Sequence, residues 1–215
     1  MDGKRLSYLA VVALLTALVF YSFSPPGWEK QYRATGEALE KAMSYRISIT
    51  TRGKDGDTFE LEREANCPAD YHSLQRHYAK DGSLIPQEDI EVWSLGKTHV
   101  LRQNNTLMNA SFGPPQCGDQ HLLELGTLPS SKIILMHGHA VRGSKKTIDG
   151  LTCRLWTVQM PAGDGWGDLY TMCVDDNNLP LEVVTTNGTV AHASHWNEKI
   201  ELPEPPEVPQ AGRQN

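Results

Sequence analysis

Four cysteines, eight histidines and a few glycine-rich turns are the residues of this 215-residue chain whose types and spacing bear on chemistry. Cys67, Cys117, Cys153 and Cys173 lack a CxxC pair, the usual signature of a redox dithiol or a structural zinc site. In an oxidising compartment their default is disulfide formation. Residues 151–160 and 166–174 read as two strands joined at Gly163. A hairpin centred there sets Cys153 opposite Cys173 and Trp156 opposite Tyr170. Cys67–Cys117 follows by elimination, with a metal site or a redox pair as the rival readings. His137 and His139 would share one face of a strand, as chelation requires, whereas His192 and His195 would point to opposite faces. No HExxH motif or adjacent carboxylate cluster supports a metal at either pair, so structural histidines are expected and no cofactor or metal is called for.

Hydrolysis needs a nucleophile poised by a base, and no GxSxG element is present. His72, His77 and His121 would have to meet a serine in space to supply one. Gly163-Asp164-Gly165-Trp166-Gly167 lacks the GK[ST] ending of a phosphate-binding loop and lies between strands, so it reads as a hairpin loop. The sequons at Asn104, Asn109 and Asn187 matter only in a eukaryotic secretory pathway. The expectation is therefore a protein that is not an enzyme. A net charge of −6 argues against a nucleic-acid partner held by a general basic field.

The elements around these residues fall into three regions. Residues 1–26 hold an apolar run, Leu6 to Phe23, preceded by Lys4 and Arg5. As a helix it would be about 27 Å long, near the thickness of the bilayer hydrocarbon. It is either an uncleaved inner-membrane anchor, residues 6–23 being the span, or a signal peptide. Either reading exports the remainder to an oxidising compartment. Lipid attachment at an N-terminal cysteine is not expected, because no cysteine lies near the run.

Residues 27–202 read as one domain. Trp28, Tyr32, Thr35, Leu39, Ala42 and Met43 recur at helical spacing, giving a helix of about four turns with one apolar stripe. From residue 45 the period changes to two. Strands are expected at 45–52, after the Gly53–Asp57 turn, at 70–79, at 89–95 and 97–103 about Gly96, at 151–160, 166–174, 180–186 and 189–197. Residues 104–117 read as loop, 119–128 as a short helix, and 131–142 as ambiguous. Asn187-Gly188 predicts a two-residue hairpin, and Asp149-Gly150 a sharp turn. Residues 203–215, rich in proline and glutamate, are expected to form a disordered tail. The fold class is thus α+β: a curved antiparallel half-barrel sheet of eight or nine strands, with one long N-terminal helix and a short helical insertion across its concave side.

Several segments resemble the lipoprotein-carrier superfamily of LolA, LolB and LppX. They are Thr147 through Arg154, Leu179-Pro180-Leu181-Glu182-Val183, and His195-Trp196-Asn197 ahead of Pro203. Pro68 through His72 and Leu95 through Val100 are similar to two further strands of that family. The resemblance spans roughly residues 28–202, each motif is short, and the ordering carries most of the weight. It implies a half-barrel whose hydrophobic cavity binds lipid or lipoprotein acyl chains without catalysis. The chain departs from LolB and LppX in lacking their lipidated cysteine, and two disulfides are not a general family feature. Candidate ligand-binding residues are Trp28, Tyr32, Leu39 and Met43 on the helix, with Ile47, Ile49, Phe59, Leu61, Trp156, Met172, Val183 and Trp196 on strands. Core packing is the alternative for each. Trp93 with Leu95 fits the cavity side or a lip. A membrane-anchored sensor or protein-interaction domain on the same scaffold, with no lipid cargo, is the alternative function. A secreted hydrolase or metal protein is a third.

Overall fold

A computed structural model describes residues 27–67, 70–110 and 138–209. The apolar run at 6–23, Cys117, His121, His137 and the helix expected at 119–128 lie outside the described residues. Among those described, no helix is long and apolar enough to cross a membrane.

The chain enters through helix α1 (Gly27–Glu40) and then forms two antiparallel meanders. The first contains β1 (Ser44–Arg52), β2 (Thr58–Asn66), β3 (Asp70–Tyr78), β4 (Ile90–Leu95), β5 (Thr98–Gln103) and β6 (Thr106–Asn109). A 3-10 turn, η1 (Pro86–Glu88), interrupts it before β4. The second contains β7 (His139–Ile148), β8 (Leu151–Ala162), β9 (Gly165–Asp175), β10 (Pro180–Thr185) and β11 (Val190–Ser194). Antiparallel pairing of β1 with β11 joins the meanders into one unclosed, curved half-barrel sheet of eleven strands, in the order β6-β5-β4-β3-β2-β1-β11-β10-β9-β8-β7.

Eleven strands exceed the eight or nine expected. β6 is only four residues long, too short for alternation to register. β7 is exposed from Val141 to Thr147, and a register shift between Arg142 and Lys145 breaks its period of two. The helix is shorter than expected. It ends at Glu40, so Met43 lies beyond it and is 60% exposed, while its backbone N–H donates to Asn197 Oδ1 at 2.8 Å.

Local turn chemistry explains most connections. Asn104-Asn105 and Asp149-Gly150 have positive φ at both central residues, as a type I′ turn demands, and they join β5 to β6 and β7 to β8. The turn at Asn187-Gly188 corrects the expected two-residue hairpin. Only Gly188 takes positive φ, Gly188 N–H donates to Thr185 O, and Thr185 N–H donates to Thr189 O. That pattern is a three-residue loop, a type I turn followed by a left-handed glycine.

The β8–β9 hairpin also differs in register. Cys153 opposes Asp175, Leu155 opposes Cys173 and Val158 opposes Tyr170. The turn is centred between Gly163 and Asp164 rather than on Gly163, and a register shift follows Val158. Together these slide the pairing by two residues, which preserves the face of every side chain. The Cys153–Cys173 disulfide therefore forms along a diagonal, with Cα atoms 5.4 Å apart. Cys67 is disulfide-bonded as well, and its expected partner Cys117 lies outside the described residues.

Candidate ligand-binding face

The register determines which residues share the face that carries α1. Tyr45, Ile47 and Ile49 of β1 align with Ala65 and Leu61 of β2, with Ala191 and Ala193 of β11, and through Val183 and Met172 with Trp156. This inner face holds the main core, in which Tyr45, Ala65 and Val158 are fully shielded. The helix seats its stripe here. Trp28 meets His139 edge-on at 6.0 Å between ring centroids, and Tyr170 donates its hydroxyl to Tyr32 at 3.2 Å. Gln31 donates to Asn178 at 2.9 Å, in the β9–β10 connection. Burial, then the neighbouring Tyr32 hydroxyl, pushes the Tyr170 phenol well above the ordinary tyrosine range.

The candidate residues divide into three groups. Leu39, Ile47, Trp156, Met172 and Val183 are buried core. Trp28, Tyr32 and Trp196 are half-buried and pack against that core, and the Trp196 indole donates to Pro180 O at 3.0 Å. Ile49, Phe59 and Leu61 are half-buried on the inner face of β1 and β2. The same face continues through Val92 on β4 and Leu101 on β5, also half-buried. Sequence reasoning passed over these two, although the alternation of β4 and β5 contained the signal. Trp93 is 5% exposed and belongs to the opposite, outer face, where its ring lies 5.4 Å from His72 and under the Arg102 guanidinium. The outer face also carries the Cys153–Cys173 bridge, packed with Leu181.

His77 closes one end of the inner face. It stacks on Phe59 at 3.8 Å, bonds Asp57 through Nε2 at 2.9 Å, and bonds Glu88 of η1 through Nδ1. The Glu88 and Asp57 carboxylates hold its imidazole above the ordinary pKa, against the opposing effect of burial. The two carboxylates occupy opposite ring nitrogens, so they do not converge on one metal position. Among the described residues, no group of three or more histidine, cysteine or acidic side chains is placed to hold a metal. His195 sits at positive φ after β11, and His192 lies 3.8 Å from Glu182.

Two clefts flank the helix. One of about 700 Å³ runs from Ala34, Ala38 and Lys41 to Leu181 and Trp196. The other, of about 260 Å³, lies between Gln31 and the β7–β8 edge, with Trp156 in its wall. Residues 201–209 have no regular structure, and Pro205 to Pro209 line a third depression beside Thr98, Val100 and Asn109.

No family model matches the sequence, and no curated protein matches it. Solved structures do. The lipoprotein LppX of Mycobacterium tuberculosis aligns over 84% of this chain and 100% of its own, at 15% identity and a TM-score of 0.50. LprF of Mycobacterium bovis aligns over 84% of this chain and 97% of its own, at 13% identity and a TM-score of 0.51. Identities this low speak to architecture alone. The unclosed eleven-stranded sheet with one helix on its inner face is a LolA/LppX-like fold.

Proposed function

We propose that this protein is a non-enzymatic component of the bacterial envelope that takes up the acyl chains of a lipid or lipoprotein on the inner face of its half-barrel. The extent of that face carries the reading. The helix meets β7, β9 and the β9–β10 connection, among other contacts. Ile49, Phe59, Leu61, Val92 and Leu101 extend apolar surface over β1, β2, β4 and β5, interrupted on β3 by Ser73 and Gln75, and remain only half-buried. Burying such surface against an acyl chain gains about 25 cal/mol per Å² and needs no cofactor. The fold shared with LppX and LprF is consistent with this use. Residues 6–23 hold the domain at the periplasmic side of the inner membrane, or direct its export if cleaved.

The test is native mass spectrometry of the full chain, drawn from an envelope fraction in mild detergent, followed by organic extraction. A stoichiometric lipid is expected, and Leu61→Glu should abolish its retention while leaving the circular dichroism spectrum unchanged. A lipid-free mass, with no uptake of an added fluorescent fatty acid, would overturn the reading.

A further inference from the structure

The cleft beside the β7–β8 edge concentrates positive charge in a chain whose net charge is −6. Arg142, Lys145 and Arg154 all line it. Regular alternation would place Arg142 and Lys145 on opposite faces of β7. The register shift between them inserts one extra residue and turns both toward the helix side. The same irregularity anchors the third cation, because Arg154 Nη1 donates to Gly143 O at 3.2 Å. Its remaining guanidinium hydrogens stay available. Neither Arg142 nor Lys145 has an acidic partner among the described residues, whereas Lys146, on the outer face, is paired with Glu182 at 2.7 Å.

A second observation is independent of charge. Trp156 forms part of the cleft wall, is 7% exposed, and its buried indole Nε1 finds no acceptor among the described residues. An indole N–H only donates, and a buried donor without a partner is unfavourable. The opposing charges are Asp175 and Asp176. Asp175 is committed to its own turn, where Oδ1 accepts from the Asn177 and Leu179 backbone at 2.9 and 2.8 Å. Asp176 is exposed and without a partner among the described residues, so the cleft sets three cations against one uncommitted carboxylate. One carboxylate would be satisfied by a single arginine fork, whereas a phosphate offers enough oxygens for two guanidinium groups and an ammonium together.

We propose that this cleft binds the phosphate of a phosphorylated ligand. Its form as the head group of an amphiphile rests on the acyl-chain reading above. The experiment follows the Trp156 indole N–H resonance of the full chain in a nonionic detergent, assigned with Trp156→Phe. Three probes are titrated: inorganic phosphate, dihexanoylphosphatidate, and dihexanoylglycerol, which carries the same chains without phosphate. A saturable shift with dihexanoylphosphatidate is expected, weakened about tenfold or more in Arg142→Gln/Lys145→Gln and by added salt. Lys97→Gln, in the distant β4–β5 turn, should bind as the unaltered protein does. Inorganic phosphate binding as tightly as dihexanoylphosphatidate supports the site with a free anion as its ligand, and tighter dihexanoylphosphatidate binding supports the head group. Dihexanoylglycerol controls for the chains: a shift equal to that of dihexanoylphosphatidate overturns the phosphate site, whereas the acyl-chain reading stands or falls on the mass-spectrometric test above. A resonance unmoved by either phosphate probe, or moved equally in the double variant, overturns the proposal.

Discussion

Replacing both Cys153 and Cys173 with alanine removes a bond that closes a loop between residues 20 positions apart. Alanine is the appropriate replacement, because both sites are at most 2% exposed and a serine hydroxyl would be stranded there. Loop-closure entropy for a span of this length is worth about 3 kcal/mol at 25 °C. The β8–β9 pairing itself is untouched, as is the bond at Cys67. A domain of this size loses about 2–4 °C of Tm per kcal/mol, so Tm should fall by roughly 6–12 °C. In urea, with a slope of about 1–3 kcal/mol/M, the midpoint should drop by roughly 1–3 M, and the slope should rise as the unfolded chain expands. The assay is equilibrium unfolding of the oxidised protein and the double variant, followed by tryptophan fluorescence and circular dichroism. An unchanged midpoint would refute the reasoning. It would mean that the unfolded β8–β9 segment is already closed by residual structure, leaving the bond no chain entropy to remove.

Two further outcomes follow from the geometry. His77 has its folded pKa raised above 6.5, first by the Glu88 hydrogen bond and then by Asp57. Its stabilising contribution is therefore complete below the unfolded value of 6.5 and lost as pH rises through the raised folded value. The gap in urea midpoint between the unaltered protein and His77→Gln should be wider near pH ~5.5 than near pH ~9, and equal gaps would count against the ion-pair account. Gly143→Ala places a Cβ 3.0 Å from Leu155 Cβ and 3.4 Å from its carbonyl oxygen, so Leu155 or the β7 irregularity must give by a few tenths of an ångström. A loss of about 1–3 kcal/mol is expected in chemical denaturation, and a variant of unchanged stability would show that the irregularity yields freely.

The legible parts of the site were those whose signal is local. Alternation set Ile47 with Ile49 on one face of β1 and Phe59 with Leu61 on one face of β2, and the pairing of the two strands brings all four to the same face. Trp93 was not decidable, because β4 has apolar residues on both faces and only its neighbours set the outward direction. The cationic cleft was invisible. Arg142 and Lys145 are three apart, a spacing that puts them on opposite faces of a regular strand, and only the register shift between them unites them.

By itself, the sequence determined the hairpins, the helix and the pairing of Cys153 with Cys173. Turn residues, a period of two and a short chain separation act within a few residues of each other, so their preferences can be read along the chain. Tertiary structure decided the rest: the pairing of β1 with β11, the two-residue slide of β8 on β9, and the meeting of Gln31, Arg142 and Trp156 around one cleft. Backbone hydrogen bonds between strands some 140 residues apart are the same for almost any side chain, so they leave no local mark in the sequence. Those contacts are chosen only when the whole apolar face is buried at once.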